Sequence, residues 1–130
     1  METNTLTKMT SGVPKVIDPA AHAVLDYLTA GTLFAIGFSM LGQHKRAANL
    51  AFVNGASVLG LSLLTDYPGG LFRRISFQTH GIIDVIQAVM AGAGPALLGF
   101  AGDAEAQAFY GQAAVEAGVV AATDWRALPA

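Results

Sequence analysis

Two short patterns carry the chemistry available to this sequence. His22 is followed four residues later by Asp26, and His80 four residues later by Asp84. A spacing of four puts both members of a pair on one face of a helix. An imidazole and a carboxylate placed this way can bond to each other, hold a metal ion or pass a proton. A second motif follows each pair: Thr65-Asp66-Tyr67 and Thr123-Asp124-Trp125. Both motifs repeat with the same shift of 58 residues, and 44 residues separate each histidine from the later aspartate of its unit. This reads as a duplicated helical hairpin, with repeat 1 over residues 18–70 and repeat 2 over 71–126. Because each unit crosses twice, the two should be related by a pseudo-two-fold axis along the membrane normal.

In a hairpin the start of one helix faces the end of its partner. His22, Asp26, Asp66, His80, Asp84 and Asp124 should therefore gather at one level, with Arg73 and Arg74 just outside. Three uses fit such a cluster. In the first it is structural: each Asp accepts from a neighbouring His, Thr or backbone N–H and holds the hairpins in register. Asp66 and Asp124 would lie at helix C-termini, where the macrodipole disfavours an anion, and should pair with Arg73, Arg126, a His or another helix N-terminus. In the second, His22, His80, Asp26 and Asp84 bind zinc, manganese or non-haem iron, or the two histidines become axial ligands of a haem. Asp is not needed for haem, and the Glu-x-x-His spacing of di-iron bundles is absent. In the third, protons or ions pass, with Glu116 extending the path two turns inward from Asp124. Nothing in the sequence requires a cofactor. Ser39, Ser57, Ser62 and Ser76 have no His–Asp arrangement that spells a triad, so no catalytic residue is assigned and a non-enzymatic structural or assembly role is favoured.

The elements that position these residues follow from charge. Of 130 residues 53% are hydrophobic and 12% charged, half the usual charged share. Mean hydropathy is +0.50. The net charge of −2 with no basic stripe excludes nucleic acid as a partner, and the absence of cysteine excludes thiol and iron–sulfur chemistry. Four apolar segments, residues 19–42, 46–65, 76–101 and 104–123, are separated by turn signals. Each is about long enough to cross about 30 Å of hydrocarbon as a helix. Asp18-Pro19 reads as an N-cap and first helical residue, Asp103 as a cap for the fourth helix, and Pro95 as a kink in the third. The fourth segment has a polar face, with Glu105, Gln107, Gln112 and Glu116, and should pack against the other three or another subunit. Asn54 and Gln112, also 58 apart, suit an interhelical hydrogen bond. His44 reads as a solvated loop residue, and residues 1–17 as a loosely ordered polar tail.

The fold expected is all-α, a four-transmembrane-helix bundle of two hairpins. Lys8, Lys15, Arg73, Arg74 and Arg126 share one side against Lys45 and Arg46 on the other, which favours cytoplasmic termini in a bacterial inner membrane. Two rows of small residues on the fourth helix, Ala113, Ala117 and Ala121, and Ala114, Gly118 and Ala122, suggest that one packs inside while the other meets a neighbour. A homo-oligomer or a place in a larger membrane complex is therefore expected.

The order His22, Asp26, Tyr27, then Leu64-Thr65-Asp66-Tyr67, Gly70 to Arg73, His80, Asp84 and Thr123-Asp124-Trp125 resembles the SPW-repeat family of small bacterial integral membrane proteins. The resemblance covers about residues 17–126. It departs at Gly94-Pro95-Ala96, which stands where the second unit would carry Ser-Pro-Trp; the first unit has no such proline. The resemblance implies a four-helix membrane protein of duplicated hairpins and brings no established activity. A chain organised in this way stays in the membrane pellet when washed with alkaline carbonate; release into the supernatant would contradict the membrane assignment.

Overall fold

The computed structural model describes residues 5–130. It is all-helical: α1 (Thr5–Met9), α2 (Pro19–Met40), α3 (Lys45–Leu64), α4 (Phe77–Leu97) and α5 (Ala106–Ala122). The last four fall on the four apolar segments. Helices α2, α3 and α4 are 22, 20 and 21 residues long, and each is long and apolar enough to cross a membrane. Helix α5 has 17 residues, about 25 Å at 1.5 Å per residue, and is shorter than those three.

The helix ends explain most of the boundaries. Asp18 Oδ1 accepts from the N–H of Ala21, and Pro19 follows as the first helical residue. Ser76 caps α4 through the N–H of Thr79. Two caps differ from expectation. His44 is not a solvated loop residue but the N-cap of α3, its Nδ1 accepting from Ala47 N–H at 3.1 Å. Asp103 does not cap α5; its carboxylate accepts from His44 Nε2 at 2.8 Å, and the N-cap position, Glu105, makes no side-chain cap. The two differences have one cause, since the His44 ring reaches both the helix end and the Asp103 loop. Pro95 lies two residues before the end of α4, so the helix stops within a turn of it. Gly99, at φ +79°, turns the chain away.

The outward faces are apolar. Exposed positions of α2 include Val24, Leu28 and Phe38; those of α4 include Ile82, Ile86, Val89 and Met90. In these three helices the exposed charges are Lys45 and Arg46, at the very start of α3. The ionisable groups His22, Asp26, His80 and Asp84 are instead buried. A water-soluble bundle has the reverse arrangement, so this one suits a surrounding of lipid.

Helix α2 packs along α3, α4 along α5, and α3 against α4. One end of the bundle is tied by two matching backbone bridges, Ile17 to Thr123 and Thr65 to Ile75. Their bonds match as well: Asp124 N–H donates to Ile17 C=O at 2.9 Å, and Asp66 N–H to Ile75 C=O at 2.7 Å. Of the segment expected to be a loose tail, residues 1–4 lie outside the described residues, and the rest contributes α1, whose Leu6 is buried in one cluster with Trp125 and Phe77. Lys15 Nζ bonds the carbonyls of Thr10 and Ala121, which holds this segment to the end of α5.

The loop after α3 is set by a close approach. A Cβ on Gly70 would stand 1.7 Å from the carbonyl oxygen of Thr65. Gly70→Ala therefore has to displace backbone, and a thermal melt should show destabilisation at or above the ~1–3 kcal/mol typical of overpacking. Gly60→Ala, where nothing lies within 4 Å, should be neutral or stabilising by up to ~1 kcal/mol.

Candidate metal centre

The four buried ionisable side chains meet at one point. His22 comes from the first turn of α2 and Asp26 from its second; His80 and Asp84 occupy the same places on α4. His22 Nε2 lies 3.2 Å from His80 Nε2, 3.1 Å from Asp84 Oδ2 and 3.4 Å from Asp26 Oδ1. His80 Nε2 lies 3.2 Å from Asp26 Oδ2 and 3.2 Å from Asp84 Oδ2.

The opposite edge of each ring settles the tautomer. Thr65 Oγ1 donates to the Leu61 carbonyl at 2.6 Å, and Thr123 Oγ1 to the Val119 carbonyl at 2.6 Å. Each hydroxyl has thereby spent its one proton, so toward a histidine it can only accept. His80 Nδ1–H donates to Thr65 Oγ1 at 2.7 Å, and His22 Nδ1–H to Thr123 Oγ1 at 2.9 Å. In a neutral imidazole held in this way, Nε2 carries a bare lone pair. Two Nε2 lone pairs and two carboxylates then converge, and these acceptors repel one another unless a cation lies among them. The cation can be protons or a metal ion.

The spacing is compatible with a metal. Ligands of a tetrahedral zinc-type ion at 2.0–2.1 Å stand about 3.3–3.4 Å from one another. The five separations given above, taken with Asp26 Oδ1 toward His22 and Oδ2 toward His80, run from 3.1 to 3.4 Å, and one ligand atom from each of the four residues lies within 4.8 Å of the others. A haem fits worse: its porphyrin would have to pass between the Nε2 atoms, where both carboxylates lie.

Aromatic rings close the near end of the centre. Trp125 and Phe77 pack on His22 with ring centroids 5.0 and 5.4 Å away, and Tyr67 lies 5.3 Å from His80. Tyr67 Oη also donates to Asp26 Oδ2 at 2.7 Å. Trp125, 58 residues further on, donates its indole N–H to the Val120 carbonyl instead. Asp26 is thus anchored by a hydroxyl, and Asp84 has no matching partner from Trp125. Sequence reasoning used Tyr67 and Trp125 as members of the repeated motif and missed this anchoring role. It also missed the two threonines, although both stand in the repeated Thr-Asp motif.

The remaining expected site residues lie outside the quartet. Asp66 is exposed and lies 3.6 Å from Arg73; Arg74 is exposed. Asp124 Oδ1 accepts from the backbone N–H of Arg126. Asn54 Nδ2 donates to Gln112 Oε1 at 3.4 Å, between α3 and α5. Glu116 Oε1 accepts from Gln112 at 3.5 Å, while its buried Oε2 has no hydrogen-bond partner among the described residues. A second group, His44, Asp103 and Glu105, is less suited to a metal. There Nδ1 is the acceptor, so Nε2 holds the proton and already donates it to Asp103.

Comparison with family models, curated proteins and solved structures finds no match to this chain. What the site does is therefore argued from its geometry.

Burial, and then the nearby Asp26 carboxylate, push the Tyr67 phenol above the ordinary tyrosine value. A raised folded-state value favours folding below the unfolded value and loses that contribution as pH rises. The melting temperature should fall above about pH 10, where an unfolded tyrosine ionises. Tyr67→Phe should show a shallower fall over the same range, and a fall of unchanged steepness would contradict the assignment.

Proposed function

We propose that this is a small multi-pass membrane protein whose two like hairpins close around one divalent transition-metal ion, held by His22, His80, Asp26 and Asp84. The observation that carries this reading is the pair of threonine–histidine bonds. They commit both Nδ1 protons outward and turn two Nε2 lone pairs toward two carboxylates within reach of one ion. Imidazole and carboxylate donors suit zinc first, then manganese or ferrous iron.

Within this proposal α5 completes a bundle of four spans. The bridges and the threonine–histidine bonds recur at equivalent positions 58 residues apart, and Asn54 bonds its own equivalent, Gln112, which supports the duplicated-hairpin reading and the resemblance to the SPW-repeat family. The structural role and the metal role are then one: the ion neutralises two buried carboxylates, takes up two imidazole lone pairs and joins α2 to α4. A bacterial inner-membrane location with cytoplasmic termini, and self-association through the exposed small residues Ala114 and Gly118, belong to the same proposal.

Purified protein should contain one divalent metal per chain by elemental analysis. His22→Ala or His80→Ala should abolish it. Thr65→Val or Thr123→Val should weaken binding about 10–100-fold, as loss of a bond that orients a metal-bound histidine does. Affinity should fall as pH is lowered, because protons compete for Nε2. A folded wild type that takes up no metal from buffered zinc, manganese or ferrous iron at neutral pH would leave the centre to protons and overturn the proposal.

A further inference from the structure

The near end of the centre is closed by Tyr67, Phe77 and Trp125, each about 1% exposed or less. On the other side, Asp26 and Asp84 border a cavity of about 20 Å³, shared with Thr29, Val115 and Glu116. About 10–15 Å³ suffices for one water, and the polar lining offers it partners, among them the unpartnered Oε2 of Glu116. This space adjoins a crevice of about 280 Å³ along the seam between α2 and α5. Leu25, Thr29, Val115 and Glu116 line both. The crevice continues to Ile36 on α2 and Ala108 on α5, so it runs about 16 Å along the bundle away from the centre. Thr29, Thr32, Gln112 and Glu116 place polar groups along it.

The matching seam lies between α3 and α4, which pack together more closely than α2 and α5 do. Leu50 fills the α3–α4 seam against Gly94, its Cδ2 2.7 Å from where a Cβ would stand. Fifty-eight residues further on, Ala108 lines the crevice together with Ile36, the counterpart of Gly94. Val58, 58 residues before Glu116, lines the same small cavity and brings no polar group to it.

We infer that the α2–α5 seam is the route by which a divalent cation reaches the centre, with the Glu116 carboxylate as its transit ligand. The route rests on the metal reading for its cargo, while its opening to water is a separate matter and is tested separately. The chain has no cysteine, so single-cysteine variants report from one place each. In metal-stripped, liposome-reconstituted protein, Thr29→Cys should react with a charged, water-soluble methanethiosulfonate. A bulky thiosulfonate on Val115→Cys should slow zinc loading at least tenfold and leave the final zinc content unchanged. The same label on Ser57→Cys, the equivalent exposed position 58 residues earlier, should leave the rate unchanged. Glu116→Ala should also slow loading about tenfold.

An unreactive Thr29→Cys, or loading at the unlabelled rate after Val115→Cys is blocked, overturns the route while leaving the metal site standing. A wild type that takes no zinc overturns the metal reading and with it the cargo of the route, and the Thr29→Cys result then shows whether the seam itself is open to water.

Discussion

The structure depends on two hydroxyl protons. Thr65 and Thr123 each give theirs to a helix carbonyl one turn back, and that choice fixes everything on the inner side. It makes each threonine oxygen an acceptor, makes each histidine Nδ1 a donor, and leaves both Nε2 atoms facing the aspartates. Buried carboxylates and imidazoles in an apolar bundle are costly, by about 2.5–3.5 kcal/mol for an Asp at a span centre on insertion scales. A cost of that size is met only if these groups converge on shared cations, whether protons or a metal ion, that satisfy all of them. Helix α2 and helix α4 therefore have to bring their first two turns to the same point, and the bridges at Ile17–Thr123 and Thr65–Ile75 hold them there.

The two hairpins are alike in frame and unlike in filling. The frame is the set of contacts 58 residues apart. The filling differs at many positions, among them Tyr67 against Trp125 and Val58 against Glu116. Asp26 is held by a phenol and Asp84 is not, and the cavity beside the two aspartates has a carboxylate from α5 and a valine from α3.

Much of this was legible in the sequence, because period and repetition are one-dimensional signals. The four helices, the Asp18-Pro19 start, and the gathering of His22, Asp26, His80 and Asp84 all follow from spacing. The Asn54–Gln112 pairing follows from the same shift. What could not be read depends on how side chains turn once the helices are packed. Asp66 and Asp124 lie at the same end as the quartet, but past the helix ends, where the chain has turned them outward to Arg73 and to a backbone N–H. His44 and Asp103 are 59 residues apart and carry no motif, so nothing in the sequence paired them. The threonines carried a signal, since both precede an aspartate in a repeated motif, but the charged neighbour drew the attention. Residues 5–9 lacked the length of a recognisable element, and only the apolar space over Gly81 and Trp125 explains why Leu6 settles there.

The packing of Trp125 has an optical consequence. It is the only tryptophan in the chain, it is 1% exposed, and its ring lies 5.0 Å from that of His22. Its emission therefore arises from one place, against one wall of the centre. A change of protonation, a closed-shell ion and a paramagnetic ion would each perturb that excited state differently. The residue that stands 58 positions after Tyr67 is thus a built-in spectroscopic reporter of what occupies the space beside it.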